Sequence, residues 1–359
     1  MNLLSLCMIV KNEEAVLERC LSSCYKLFDE IIIVDTGSTD NTKKIAKKFT
    51  NKIYDFVWNN DFSKARNFSI SKSTCSYFMW LDADDIITKQ NLKKLFILKE
   101  KLKNNIIDTV MLKYSISFDK NNKPTFSYYR ERICKNNSKF LFHDFVHEAI
   151  TPSGNIVYKN IEIEHRKLKE NKANRNLKLY EINKKNGVVF SPRQQFYYSR
   201  ELYFNNKIKK AITNFNKFLK MENSFLENKI EACLNLSNCY LILGDKTNAK
   251  QSLINSFMFD TPRSEILCAL GYIYKNEGNY LKAIYYFNLA SHNKINLKSG
   301  AFVKPEYYNY IPYLEQCVCY FNLKDYKKAY YFNNLALKSK KDDIICLNNE
   351  KILKNYLKV

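Results

Sequence analysis

The chain has 359 residues, 46% hydrophobic and 26% charged, which is enough apolar material for two cores and excludes a mostly disordered chain. Only 7 Gly and 6 Pro occur, so collagen-like, low-complexity and many-turned β architectures are excluded and long helices are favoured. The formal charge of +22 is spread over both halves as Lys and Arg beside Asn. It reads as a solvated surface, or as attraction to an anionic partner such as a sugar nucleotide, a membrane surface or an acidic glycan, and no block is dense enough to argue for nucleic acid.

Eleven Cys occur, with no Cys-x-x-Cys pair. Several, such as Cys7, Cys233 and Cys268, stand in apolar stretches and act as small hydrophobes, which suits a reducing compartment. The apolar run at the N-terminus is about ten residues long with no basic segment before it, too short to span a membrane and wrongly flanked for a signal peptide. The expectation is a cytoplasmic protein without a transmembrane segment, open to peripheral membrane contact.

Taken in order, Leu3 to Val10 predicts a buried strand, Glu13 to Leu27 a helix and Glu30 to Val34 a second buried strand. Thr42 to Phe49 predicts a helix, Lys52 to Trp58 a short strand, Phe62 to Ser71 a helix, and Tyr77 to Leu81 a strand ending in Asp82-Ala-Asp-Asp. Strands alternating with helices imply a parallel sheet covered on both faces. Residues 109–118 and 125–134 predict two strands around Asn121-Asn-Lys-Pro, and Asn155 to Glu164 another. An α/β domain over residues 1–165 is therefore expected, then a basic helical linker over 166–190.

From residue 191 to 359 the apolar period is helical and repeats. Leu267, Leu270, Gly271, Tyr274, Ala283, Phe287 and Ala290 fit the tetratricopeptide pattern. One repeat earlier stand Cys233, Leu236, Ser237, Tyr240, Ala249, Leu253 and Ser256. Weaker units flank these two, the last after an insertion holding Gly300 and Pro305 and with Gln316 and Asn333 off the pattern. Packing between terminal repeats would allow a homodimer.

Acidic residues stand directly after the apolar strands: Asp35 after the second, Asp82 and Asp84 after the strand ending at Leu81, with Asp85 next. Ligands of open α/β sheets bind beyond the carboxyl ends of the strands. Two carboxylates two residues apart point to one side of an extended backbone, and a divalent cation that also binds substrate phosphates needs only one or two of them. The plainer alternative has Asp84 or Asp85 capping the helix that starts near Thr88. In Asp35-Thr-Gly-Ser-Thr-Asp, capping explains Ser38 to Asp40 but not Asp35, which suits a base or ribose. In Asp61-Phe-Ser-Lys-Ala-Arg-Asn, Arg66 can reach a phosphate or clamp the acidic loop. Arg130 and Arg132, two apart on a strand, share one face and suit a phosphate or a solvated edge.

LSLCMIVKNEE, DEIIIVDTGSTDNT, DFSKARN and YFMWLDADD stand in the order and spacing of the family 2 glycosyltransferases with the nucleotide-diphospho-sugar (GT-A) fold, which residues 1–90 resemble. With a tetratricopeptide tail, the layout resembles the bacterial subgroup that includes sublancin-type peptide S-glycosyltransferases. The resemblance implies an inverting, metal-dependent hexosyltransferase using Mg²⁺ or Mn²⁺ and a nucleotide sugar, UDP-linked, with a peptide or protein acceptor held by the repeats. It implies nucleotide-sugar binding by Val10, Asn12, Glu13, Asp35, Arg66 and Asp82. Asp84 and Asp82 would hold the metal, with His165 near the domain end as a further ligand, although Arg166-Lys167 replaces the family's usual Gly and Tyr after it. Glu148 is the favoured base, with His147 beside it and Asp144 third; His143 reads as an ordinary histidine. Two rivals remain: a cell-surface glycan or lipid-linked acceptor, and a non-enzymatic scaffold with a degenerate first domain. The Asp-x-Asp of aspartate-nucleophile phosphatases follows the first strand, which here ends in Lys11-Asn12.

Overall fold

The computed structural model describes residues 2–104, 106–120, 122–168 and 174–357. Asn121 of the expected turn lies outside them. The chain divides into two compact units, Met1–Val188 and Val189–Val359.

In the first unit β1 (Leu4–Val10), α1 (Leu17–Cys24), β2 (Glu30–Asp35), α2 (Thr42–Ala46), β3 (Ile53–Asp55), α3 (Phe62–Ser71) and β4 (Tyr77–Trp80) alternate as expected. β5 (Asp85–Ile86), α4 (Lys89–Leu102), β6 (Thr109–Phe118) and β7 (Pro124–Lys135) follow, then β8 (Phe142–His143), β9 (Ala149–Ile150), β10 (Ile156–His165) and α5 (Arg175–Lys185). The main sheet runs β3-β2-β1-β4-β7-β6-β10-β5. Its first four strands are parallel, whereas β7 is antiparallel to both β4 and β6. The parallel order expected from the first ninety residues holds for β1 to β4, and β6 with β7 forms the expected pair of strands around a turn.

Both faces of the parallel half are covered, which is why its strands read as unbroken apolar runs. Leu4, Leu6, Met8 and Ile33 pack under Leu17 and Leu21 of α1 and Leu95 and Leu98 of α4. On the opposite face Cys7, Ile32, Val34, Phe78 and Trp80 meet Ile70 of α3 and Phe142 and Ile150. Each such fully buried side chain stabilises the fold by about 1.5–3 kcal/mol.

Three elements are shorter than their apolar patterns. α1 begins at Leu17 because residues 12–14 are tied instead to the 38–42 loop: Glu13 N–H donates to Thr42 Oγ1 at 2.7 Å and Glu14 N–H to Asp40 Oδ2 at 3.2 Å. α2 stops at Ala46, and β3 is a three-residue edge strand. α4 is capped by Thr88, whose hydroxyl accepts from Asn91 N–H; neither Asp84 nor Asp85 is its cap. Segment 174–188 belongs to the first compact unit. There α5 packs Tyr180 edge-on against Phe145, 5.0 Å between ring centres, and lays Arg175 over Phe62.

The second unit is a series of antiparallel helix pairs. They are α6 (Pro192–Phe204) with α7 (Ile208–Leu219), α8 (Leu226–Ile242) with α9 (Lys246–Asn255), α10 (Ser264–Asn276) with α11 (Tyr280–His292), and α12 (Tyr310–Asn322) with α13 (Tyr326–Ser339), followed by α14 (Ile344–Leu357). Close packing requires Gly271: a Cβ there would stand 2.7 Å from the Phe287 ring. Each second helix from α9 onward in these pairs starts alike. A residue with positive φ (Gly244, Gly278, Lys324) precedes a cap (Asp245, Asn279, Asp325) that accepts from the N–H three residues on. The off-pattern residues find polar partners: Gln316 donates to the Pro312 carbonyl at 3.2 Å and Asn333 to the Cys346 carbonyl at 2.8 Å. Helices α8 and α10 and the insertion line a groove. Two adjoining cavities there, of about 90 and 280 Å³, share Glu231, Leu234, Glu265 and Phe302.

Among the described residues no helix is long and apolar enough to cross a membrane. All eleven Cys are free and buried.

Candidate active site

Strands β1, β2 and β4 run in one direction and end side by side, so their C-terminal residues form one edge of the sheet. At the end of β2, Asp35 is buried and folds back on its own loop. Its Oδ1 accepts from Gly37 N–H at 2.9 Å and Ser38 N–H at 2.8 Å. Gly37 supplies the φ of +104° that this turn needs. Asp35 Oδ2 is buried without a hydrogen-bond partner among the described residues, an acceptor the fold leaves open. The 10–14 segment latches this loop: Asn12 N–H donates to Ser38 Oγ at 2.9 Å, and Asn12 Oδ1 accepts from Thr39 N–H at 2.8 Å. The Val10 side chain lies in the core and its carbonyl accepts from Thr36 N–H at 2.9 Å.

Beyond β4 the chain turns through Asp82–Asp85, and β5 pairs antiparallel with the end of β10, placing Asp85 opposite His165. This pairing joins residues 80 apart in sequence. His165 Nδ1 lies 3.2 Å from Asp84 Oδ1, 3.2 Å from Asp85 Oδ1 and 2.8 Å from the Tyr114 hydroxyl. Ligand atoms of Asp82, Asp85 and His165 all fall within 4.8 Å of one another. Burial would lower the His165 pKa, but Asp84 and Asp85 outweigh it and hold the imidazole up at about 10.

Asp82 is tied from the other side. Its Oδ1 accepts from Arg66 NH2 at 2.6 Å, while Arg66 Nε donates to Glu148 Oε1 at 2.7 Å. Burial would raise the Asp82 pKa, but Arg66, Arg132 and His165 outweigh it and hold the carboxyl well below the usual range. One guanidinium therefore joins the acidic loop to Glu148. The sequence left Arg66 a choice between phosphate and acidic loop, and in the structure it clamps the loop. Its NH1 is buried without a hydrogen-bond partner among the described residues. Three guanidinium carbons surround the Trp80 ring: Arg66 at 4.9 Å, Arg130 at 4.9 Å and Arg132 at 3.8 Å. Arg130 also pairs with Glu131 at 3.0 Å. The solvated edge suggested for the two strand arginines does not exist, because Arg132 is wholly buried and pairs with Asp85 at 3.1 Å.

Glu148 leaves a small hairpin made by β8 and β9. Asp144 and His147, in its loop, both take left-handed backbone with φ of +73° and +56°, a conformation of about 1–3 kcal/mol in cost that clusters at functional sites. The Phe145 carbonyl accepts from Phe62 N–H at 3.0 Å, fastening the loop to the start of α3. His143 is exposed.

Residues 5–150 match the family described as Glycosyl transferase family 2, and residues 230–257 and 264–291 match the tetratricopeptide repeat. The first unit carries a family 2 glycosyltransferase domain. The SPbeta prophage-derived glycosyltransferase SunS of Bacillus subtilis (strain 168) is 31% identical over 237 residues, 58% of this chain and 53% of that protein. The chain thus spans about half the length of that curated relative. The TPR repeat-containing protein Synpcc7942_0270 of Synechococcus elongatus is 46% identical over 81 residues, 23% of this chain and 20% of its own. Among solved structures, glucosyl-3-phosphoglycerate synthase from Mycobacterium tuberculosis is similar over 32% of this chain and 44% of its own, with 22% identity and a TM-score of 0.27.

Within the glycosyltransferase domain, sequence reasoning missed three site residues. Asp85 was named only as a neighbour or a cap. Tyr114 stands unmarked within the strand expected over residues 109–118. Arg132 was placed at a phosphate or an edge. The signal available for Asp85 was its place directly after an Asp-x-Asp whose helix already had Thr88 as a cap.

Proposed function

We propose that the chain is an inverting glycosyltransferase that moves a hexosyl group from a nucleotide sugar, UDP-linked, to a Ser, Thr or Cys of a peptide or protein. The observation that carries this reading is the meeting of Asp82, Asp85 and His165, with Asp84 3.2 Å from His165, at the C-terminal edge of a sheet whose β2 ends in Asp35. The open Asp35 Oδ2 suits an N–H of the base or a ribose hydroxyl. Asn12 and Glu13 serve the nucleotide pocket by fixing the 35–42 loop, and Val10 by anchoring the strand end.

Two carboxylates and an imidazole fit a divalent cation that keeps positions for phosphate oxygens and water, as Mg²⁺ or Mn²⁺ does. Asp82, Asp84 and His165 would hold it, since these three side chains are partly exposed whereas Asp85 is fully buried and bonded to Arg132 and Tyr114. When bound, such an ion neutralises charge growing on the departing nucleoside diphosphate, worth several kcal/mol. Glu148 takes the proton from the acceptor hydroxyl or thiol as its oxygen or sulfur attacks the anomeric carbon. The anomeric C–O bond to the diphosphate breaks on the opposite face, so configuration inverts. Arg66 fixes Glu148 relative to Asp82, and His147 and Asp144 flank it from the same hairpin. The helical repeats form the kind of surface that holds extended polypeptides, which supports a peptide acceptor.

A panel of nucleotide sugars with Mg²⁺ or Mn²⁺, followed by nucleotide release, tests this. One UDP-sugar should turn over, and Asp84→Asn should cost about 3 kcal/mol of transition-state stabilisation, about 10²-fold in rate. Glu148→Gln should lose transfer while still binding UDP. Full turnover in both variants contradicts the reading.

A further inference from the structure

We infer that Tyr114 is a positioning residue for the cation site: its hydroxyl, shared among His165, Asp85 and Asp82, holds the His165 ring in place against the acidic loop. The inference rests on the cation reading above and adds to it a residue that never touches the ion. One phenol oxygen reaches three members of the cluster: His165 Nδ1 at 2.8 Å, Asp85 Oδ1 at 3.0 Å and Asp82 Oδ2 at 3.4 Å.

Carboxylates only accept, so the Tyr114 hydroxyl hydrogen goes to a carboxylate or to His165 Nδ1, and in either case one oxygen ties the ring to the acidic loop. Among the described residues the polar contacts of the ring are at Nδ1, to Tyr114, Asp84 and Asp85. Outer partners of this kind fix the orientation of a ligating histidine.

Exposure divides the cluster in two. The side chains of Asp82, Asp84 and His165 are 32%, 20% and 24% exposed, whereas those of Asp85 and Arg132 are fully buried. The first three can meet a ligand, and the others form a backing. Tyr114 belongs to the backing and is held rigidly. Its ring lies 4.1 Å from the Arg132 guanidinium carbon and edge-on to Tyr128 at 5.8 Å. Arg132 in turn is pinned between Tyr114 and Trp80 and bonded to Asp85. The hydroxyl cannot swing away from His165 without unpacking an arginine from two rings.

The test uses the full chain with Mn²⁺ and UDP as probes. In the parent protein, pulsed electron paramagnetic resonance should show a ¹⁴N coupling to Mn²⁺ that His165→Gln removes. Tyr114→Phe keeps the ring and its packing, so its thermal melt should match the parent. Its Mn²⁺ affinity should fall about 10–100-fold, the usual cost of losing such a partner, with the ¹⁴N coupling weakened and UDP affinity without metal unchanged. Turnover at saturating Mn²⁺ should recover while the KM for Mn²⁺ stays raised. If Tyr114→Phe binds Mn²⁺ within about threefold of the parent with the same coupling, below that range, the inference is overturned and the cation reading stands. If the parent lacks the coupling, or His165→Gln retains it, the role of His165 falls and the inference with it. Should Tyr114→Phe not fold, a parent crystal soaked with UDP and Mn²⁺ decides: His165 on the ion with its ring still in contact with the Tyr114 hydroxyl supports the inference, and a His165 ring turned away from Tyr114 overturns it.

Discussion

Arg66 shows how one side chain can join two carboxylates and two rings. It stacks on Trp80 and Phe142, neutralises Asp82 and Glu148, and is almost fully buried. Arg66→Met keeps much of the apolar packing but strands two carboxylates, so unfolding in urea should show a loss of about 3 kcal/mol. Arg66→Lys should recover only part of this, because an ammonium cannot reproduce the fixed fork. Parent-like stability in Arg66→Met would contradict the clamp. At the opposite end of the sheet, Glu30 is a structural counterpart. Burial would raise its pKa, but hydrogen bonds from Lys52, Ser5 and Thr74 outweigh it and bring it down from 4.5 to about 2. A depressed carboxylate contributes stability that is full above its unfolded pKa and is lost as pH falls through the folded one. The parent should therefore lose about 3 kcal/mol between pH 5 and pH 2 on this account, and Glu30→Gln should flatten that part of the stability–pH curve. Parallel curves would show that Glu30 is not the group responsible.

At the level of elements, the helix pairs carry a visible defect. Lys324 takes φ of +62° at the position where two earlier repeats have Gly244 and Gly278. A left-handed residue with a Cβ costs about 1–2 kcal/mol, partly offset by the greater chain entropy of glycine. Lys324→Gly should raise the stability of the second unit by up to about 1 kcal/mol in chemical denaturation; a loss would mean the Lys side chain contributes more than its backbone strain costs. Such local features also decide what was legible in advance. β1, β2 and β4 were plain because they are unbroken apolar runs, the last two leading into carboxylates, and the repeats because Ala, Gly and aromatic positions recur. β5 was invisible: two residues carry no periodicity, yet their pairing with Glu164 and His165 assembles the acidic cluster. His165 was named by resemblance, but its partner Asp85 meets it through that long-range pairing and Tyr114 through the pairing of β6 with β10. Arg132 read as a surface residue because arginine is seldom buried, and here two rings and a carboxylate offset its desolvation.

For the whole molecule, a glycosyltransferase domain and a tetratricopeptide unit stand in one chain, each with its own core. A division of labour, donor in one and acceptor in the other, predicts separable defects. Phe302 lies in the wall shared by both cavities of the helical groove. Phe302→Ala should raise the KM for a peptide acceptor about tenfold, as loss of a groove aromatic commonly does, and leave acceptor-independent hydrolysis of the nucleotide sugar unchanged. Equal effects on both reactions, or none on either, would argue against the groove as the acceptor platform. The central claim concerns the donor side and is tested most directly by calorimetric titration of the full chain with UDP, with and without Mn²⁺, in the parent and in the Asp82→Asn, Asp84→Asn double variant. The account predicts UDP binding that Mn²⁺ strengthens in the parent and that the double variant makes indifferent to the metal. Equal Mn²⁺-strengthened binding in both proteins would contradict it.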